Sequence, residues 1–312
     1  MIPVETPHLP VASESHPGET GKNNEDALSV TAYRLDPEGT PALLAIIADG
    51  VGGHRAGEIA SRMTVDIVST HVGESSGHDP LGSLRSAVVE AGRAVSAAAE
   101  ASAERQGKAS TITVAWIIGK RLYTAYAGDS RIYLRRGGRV QQATIDHSWV
   151  QEAIEHHIIS PEEARNHPHA HILRRYLGGQ LEPQPDFRLR LAPGESDRQS
   201  LRHQGVTLAP GDQVLLCSDG LTDLVSAEEI GEALGRGTLA EAVSSLVVLA
   251  RARGGHDNIT VILIAVPDGR AAPRSRRRSR LGVFASAVTG LILILLLAMV
   301  GLLWLGLWPW GY

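Results

Sequence analysis

The stretch PALLAIIADGVGGHRAGEIA, Pro41 to Ala60, decides the reading of this chain. It is apolar for the length of a strand, stops on Asp49-Gly50, and passes two more glycines before a helical pattern begins. Asp-Gly between two strands marks a hairpin. Here the sequence after it is not a strand, because Ile59, Met63, Ile67 and His71 recur at the four-residue spacing of one helical face. The turn therefore joins strand to helix. The same construction returns in DQVLLCSDGLTDLVSAEEI, where an apolar strand stops at Asp219-Gly220.

Two further carboxylates hold comparable places. Glu25 and Asp26 in GKNNEDALSV precede a short β-prone run, and Asp257 in GGHDNITVILIAV precedes a strongly apolar strand. Asp26, Asp49, Asp219 and Asp257 thus lie at strand ends and converge if those strands are neighbours. Converging carboxylates raise one another's pKa unless a cation neutralises them. A donor set of oxygens without paired Cys or His suits Mg²⁺ or Mn²⁺. Gly50, Gly52 and Gly53 would let the backbone approach such an ion and turn a carbonyl towards it.

Around this core, strand-like runs lie at Leu43–Ala48, Thr111–Ile118, Leu122–Ala127, Arg131–Leu134, Val214–Cys217 and Ile259–Val266. Helix-like runs lie at Ala56–Val72, Leu84–Arg105, Ala227–Leu234 and Leu239–Arg253. Strands and helices in blocks, with RRGGRV as a hairpin turn, predict an α+β domain rather than a regular βαβ alternation. The His-rich stretch from Asp146 to Gly179 reads as an excursion from the sheet.

Of the 312 residues, Leu281 to Trp308 carry no charge, more than the roughly 20 apolar residues that cross a bilayer. Arg274, Arg276, Arg277, Arg278 and Arg280 precede this run, and Trp304, Trp308, Trp310 and Tyr312 gather at its far end. The pattern predicts a single transmembrane helix with the amino-terminal domain in the cytoplasm, hence a single-pass protein of the cell membrane. The expected organisation is a flexible N-terminus (1–12), a catalytic domain (13–267), a basic linker (268–280), the transmembrane helix (281–308) and a short outer tail (309–312). Six arginines and one aspartate from residue 268 onward contribute +5 to the net charge of −4, which leaves −9 for residues 1–267. An acidic domain disfavours nucleic acid as a partner. Cys217, the single cysteine, excludes an internal disulfide and reads as a core residue.

NNEDA, ADGVGGH, AGDSRIYL, DHSWV, LLCSDGLTDLV and GGHDNITVILI, in this order, resemble the metal-dependent protein phosphatases of the type 2C serine/threonine class, particularly bacterial members. The resemblance covers about residues 13 to 267 and implies a four-layer fold, two antiparallel β-sheets flanked by helices. It implies that Asp49 bridges two ions, Mn²⁺ or Mg²⁺, and that the Gly50 carbonyl binds one of them. Asp26, Asp219 and Asp257 would complete the second site, with Glu25 acting through water and Asn258 behind the ligands. Asp129 in GDSR matches the residue that, with Asp219, holds a third ion in bacterial relatives. His147 to His171 corresponds to a mobile flap. The implied reaction is hydrolysis of phosphoserine or phosphothreonine in proteins by direct attack of a metal-bridging hydroxide, with Asp49, Asp219 and Asp257 as the catalytic set and no phosphoenzyme. A membrane-bound serine/threonine kinase is the natural counterpart by family analogy.

The chain departs from the family pattern at two places. Gly21 stands where the family's phosphate-binding Arg is expected, leaving Lys22 as the neighbouring cation. Val51 follows Asp49-Gly50 where eukaryotic relatives place a His, so a bound water or His54 would supply the proton. The missing Arg keeps open a second reading, a catalytically weak phosphoprotein-binding domain. Three decoys are set aside: PGETGKNN has P-loop residues at the wrong spacing with Asn23 in place of Ser or Thr; an Asp-x-Asp nucleophile pair of the haloacid dehalogenase type is absent; and His156, His157, His167, His169 and His171 sit on a polar loop without cysteine, where solvent-facing histidines are expected rather than zinc ligands.

Overall fold

The computed structural model describes residues 1–37, 39–51, 55–101, 109–164, 167–178 and 184–268. The apolar run before Asp49 is strand β4 (Pro41–Ala48), whose residues Ala42 to Ala48 are fully buried. Its alternate side chains enter different cores: Ala42, Leu44, Ile46 and Ala48 go to one, Leu43, Ala45 and Ile47 to another. With both faces covered, no polar alternation is required, and the run reads as continuously apolar.

Among the described residues, β4 lies inside a six-stranded antiparallel sheet in the order β1 (Ile2–Val4), β3 (Ala27–Arg34), β4, β7 (Ile112–Ile118), β8 (Arg121–Ala127) and β11 (Val206–Thr207). A five-stranded antiparallel sheet has the order β10 (Arg139–Gln142), β9 (Arg131–Arg136), β12 (Gln213–Cys217), β13 (Ile259–Ala265) and β2 (Val11–His16). Strands β5 (Gly50–Val51) and β6 (Ala109–Ser110) form a short separate pair. The sheets face each other across a core of Leu43, Ile47, Ile117, Ile132, Leu216 and Ile262.

Helices α1 (Arg55–Glu74) and α2 (Pro80–Glu100) cover the outer face of the first sheet through Val65, Val68, Leu84 and Val88. Helices α7 (Ala227–Leu234) and α8 (Leu239–Ala252) cover the second through Ile230, Val243, Leu246 and Val247, against Leu215, Cys217 and Leu263. The result is the expected four-layer arrangement of helices, two antiparallel sheets and helices. Helices begin where the sequence chemistry says they should: Asp79 caps α2 with Pro80 behind it, and the Ser226–Glu229 and Thr238–Glu241 capping boxes start α7 and α8. The Gly137-Gly138 turn between β9 and β10 has φ of 57° and 82°, the left-handed conformation a two-residue hairpin demands.

The N-terminus is a correction. Residues 1–12, expected to be flexible, belong to the compact unit that runs from Met1 to Asp268. Ile2–Val4 pairs with Ala32–Arg34, and Val11–His16 pairs with Ile259–Ile264 as the edge of the second sheet. Proline at an edge strand costs no ladder bond, so Pro3 marks an edge rather than disorder.

Between β10 and β11 lie the excursion, with α3 (Trp149–Glu155) and α4 (Pro161–Ala164), and, beyond it, α5 (Asp197–Leu201). The remaining short helix, α6 (Asp219–Thr222), follows β12 directly. Among the described residues no helix is long and apolar enough to cross a membrane; the segment 281–308, expected to do so, lies outside the described residues.

Candidate metal centre

Antiparallel pairing carries the strand-end aspartates to common ends of the sheets. Ala27 of β3 pairs with Ala48 of β4, so Asp26 just before the one and Asp49 just after the other flank a single cross-strand pair. Cys217 of β12 pairs with Val261 of β13, and the Ser218 N–H donates to the Thr260 carbonyl at 3.0 Å, so Asp219, just after Ser218, and Asp257, in the turn before β13, lie at the same end of that strand pair. Asp129 sits in the turn between β8 and β9. Thr111 ties the first group to that turn: its N–H donates to the Asp49 carbonyl at 2.8 Å, its hydroxyl accepts from the Asp49 N–H at 2.9 Å and bonds the Ser130 hydroxyl at 3.0 Å.

The carboxylates lie close enough to act on one another's charge. Burial pushes Asp26 up to about 8, reinforced by the charges of Asp219 and Asp257 and opposed by the hydroxyls of Thr260 and Ser218. Burial also raises Asp49 well above the usual carboxylate range, with Asp26, Asp219 and Asp129 adding to it. Asp129 is raised by burial and by Asp219 and Asp146. Asp219 reaches about 6 through burial, then Asp223 and Asp257.

Two oxygens at the centre of this group, Asp26 Oδ1 and Asp219 Oδ1, are buried with no hydrogen-bond partner. The other Asp26 oxygen accepts from Ser218 Oγ at 2.8 Å, so the carboxylate is oriented with its free oxygen left over. Buried polar atoms without a partner are costly, and an all-oxygen set of mutually repelling carboxylates is what a hard divalent cation relieves. The residues present fit Mg²⁺ or Mn²⁺. Asp26, Asp49, Asp219 and Asp257, with Asp129 beside them, are the groups that would hold the ions.

The glycines act by close packing rather than by positive φ. A Cβ on Gly50 would lie 2.3 Å from the Gly57 carbonyl oxygen and 2.7 Å from that of Glu25; one on Gly220 would lie 2.1 Å from the Asn258 carbonyl oxygen. Each Asp-Gly thus lets another backbone close over it. The Gly50 N–H donates to the Glu25 carbonyl at 3.2 Å, the Glu25 N–H donates to Asn258 Oδ1 at 2.7 Å, and Asn258 Nδ2 donates to the carbonyls of Pro17 and Asn23 at 3.0 and 3.2 Å. Asn258 is therefore a stitch between the first motif and the last.

Lys22 is exposed, and Gly21 has φ of +73° with open space around it. His54, Gly52 and Gly53 lie outside the described residues. Two residues escaped the sequence reading. Asp223 follows Asp219 by one helical turn, and His171 comes from the excursion; ligand atoms of His171, Asp219 and Asp223 lie within 4.8 Å of one another, with His171 Nδ1 3.6 Å from Asp223 Oδ2. The i, i+4 spacing in DGLTD was the signal for Asp223, whereas no local pattern singles out His171 among five histidines. His171 is exposed, as the loop composition predicts, and lies beside Asp223. His167 and His169 instead pack on Trp149, with ring centroids at 4.7 and 4.9 Å.

A family model for protein phosphatase 2C matches residues 15–254. The chain belongs to the protein phosphatase 2C family. Serine/threonine protein phosphatase PstP of Mycobacterium tuberculosis is 35% identical over 285 residues, 90% of this chain and 48% of PstP, so the chain spans about half the length of that relative. Protein phosphatase PhpP of Streptococcus pneumoniae is 34% identical over 259 residues, 80% of this chain and 94% of PhpP. The solved catalytic domain of PstP in complex with two manganese ions superposes with a TM-score of 0.67 at 34% identity, covering 83% of this chain and 99% of that domain. This protein phosphatase 2C member therefore shares with a manganese-bound relative the fold that gathers its aspartates.

Proposed function

We propose that this chain is a metal-dependent phosphatase of phosphoserine and phosphothreonine proteins. The observation that carries it is the gathering of Asp26, Asp49, Asp129, Asp219 and Asp257, the first buried, the next three half-buried and the last exposed, with oxygens of Asp26 and Asp219 that have no protein partner. When bound, two Mn²⁺ or Mg²⁺ ions supply an activated water and neutralise charge on the phosphoryl group. The protein's part is to hold the carboxylates before any ion arrives: Thr111 fixes the Asp49 backbone, Ser218 orients Asp26, and Asn258 joins the loops of Glu25 and Asp257. No side-chain nucleophile is required, so the reaction proceeds without a phosphoenzyme.

Lys22 is the cation we assign to the substrate phosphate in place of the absent Arg, since Gly21 holds a backbone conformation that favours glycine. Hydrolysis of a phosphothreonine peptide with Mn²⁺, with excess chelator, and by Asp49→Asn tests the reading. Turnover in the metal-replete wild type alone is expected. Equal turnover in chelator removes the metal mechanism, and none under any condition makes the domain a phosphoprotein-binding module.

The uncharged segment 281–308 behind its arginine cluster supports anchoring in the cell membrane with the phosphatase domain on the cytoplasmic side. The linker 267–280 spans at most ~45–50 Å when extended, so phosphoproteins close to the membrane, a membrane-bound serine/threonine kinase among them, are the favoured substrates.

A further inference from the structure

Asp129 stands in a turn whose preceding residue admits no side chain. Gly128 has φ of +124°, and a Cβ there would lie 2.6 Å from the Thr111 side chain. That peptide is held from outside, by His147. The Gly128 N–H donates to His147 Nδ1 at 3.1 Å, and the His147 N–H donates to the Gly128 carbonyl at 2.9 Å. Because Nδ1 accepts, the ring proton is on Nε2, which donates to Asp186 Oδ2 at 3.0 Å.

Asp186 is itself immobilised. Its backbone exchanges both hydrogen bonds with Tyr126 of β8, at 3.1 and 2.8 Å, and its carboxylate accepts from Arg188 Nε and Nη2 at 2.8 and 2.6 Å. The Tyr126 ring stacks on His147 with centroids 5.2 Å apart. His147 and Asp186 are 7% and 6% exposed, so water does not compete for these bonds. The Arg174 N–H donates to the His147 carbonyl at 2.7 Å, and the Trp149 N–H to the Ile172 carbonyl at 2.8 Å, so both ends of the excursion are fastened to the same residue or its neighbour. The metal site uses none of these groups as ligands.

We propose that His147, oriented by Asp186, is a positioning residue that holds the Gly128-Asp129 peptide so that the Asp129 carboxylate is presented to the ions. The inference rests on the phosphatase reading above. It makes a distinction between two bonds of one ring. His147→Asn places an acceptor where Nδ1 was and keeps the bond to Gly128 while losing Asp186; His147→Gln reaches towards Asp186 but offers Gly128 nothing.

The test is a Mn²⁺ titration of the full chain, followed by electron paramagnetic resonance and calorimetry, for wild type, His147→Asn, His147→Gln, His147→Ala and Asp129→Asn. The ion that Asp129→Asn weakens is expected to be weakened about 10- to 100-fold by His147→Gln and His147→Ala, the range usual for groups behind a metal ligand. His147→Asn is expected to bind it as wild type does, and the tighter ions are unmoved in every His147 variant. Unchanged isotherms in His147→Gln and His147→Ala overturn the proposal, as does a loss in His147→Asn equal to that in His147→Ala, or a failure of all three variants to fold, which makes His147 a packing residue. An Asp129→Asn isotherm identical to wild type overturns this proposal alone, whereas a wild type that binds no Mn²⁺ overturns the phosphatase reading with it.

Discussion

Gly50 and Gly220 each sit under another stretch of backbone, with no room for a Cβ between them and the carbonyls of Gly57 and Asn258. Gly50→Ala is therefore expected to lower stability by about 1–3 kcal/mol and to weaken Mn²⁺ binding, which urea titration and a metal isotherm check together. Gly21 is the opposite case, with open space where a Cβ would sit but a φ of +73° that only glycine takes without strain. Gly21→Arg is expected to cost about 1 kcal/mol of stability, while Lys22→Ala raises KM for a phosphopeptide severalfold at unchanged kcat; an unmoved KM removes Lys22 from the phosphate. The aspartates give a pH prediction. An acid whose folded pKa is raised binds its proton more tightly folded than unfolded, so it favours the fold at low pH and loses that contribution as pH rises. With Asp219 raised to about 6 and Asp26 to about 8, the metal-free protein loses stability from the ordinary carboxylate range up to about pH 8. The Tm of the chelated protein should fall across that window, and saturating Mn²⁺ should remove the slope.

Helix α8 begins with the Thr238–Glu241 capping box, a helix away from Asp223 along the chain, so Thr238→Ala should cost about 1 kcal/mol and leave metal affinity and turnover as they are; a changed metal isotherm would mean that α8 transmits to the site. At this scale legibility followed burial. Strands β4, β12 and β13 are covered on both faces and stand out as unbroken apolar runs. Strand β2, VASESH, is a half-exposed edge whose last four residues are all polar, and its neighbouring prolines read as disorder until its pairing with β13 is seen. The excursion was recognised as irregular from its composition, but its attachment was not, because Arg174 and His147 meet through backbone groups that every residue type carries.

The compact unit ends at Asp268, and Val266 is part of it: its side chain is buried between the sheets, its N–H donates to the Asp212 carbonyl at 2.8 Å and its carbonyl accepts from the Gly211 N–H at 2.9 Å. A chain ended after Asp268 should be soluble and keep wild-type kcat/KM on a small phosphoester, while the full chain sediments with membranes. A folded but inactive fragment would make the segment beyond Asp268 part of the catalytic unit; a full chain that stays in the soluble fraction would remove the anchor.

The amino-acid order alone picks out the candidates for the chemistry and the order in which they come, because carboxylates at strand ends beside glycine are a local pattern that needs no partner to be seen. It also determined the segments that can be buried on two faces. Only the tertiary structure decided that the strands bearing Asp26, Asp49, Asp129, Asp219 and Asp257 run to a common site, since strand adjacency is set by packing between residues far apart in the chain. For the same reason the approach of His171 to Asp223 and the His147–Asp186 pair came to light only there: which distant group each histidine faces is recorded by no periodicity in the chain.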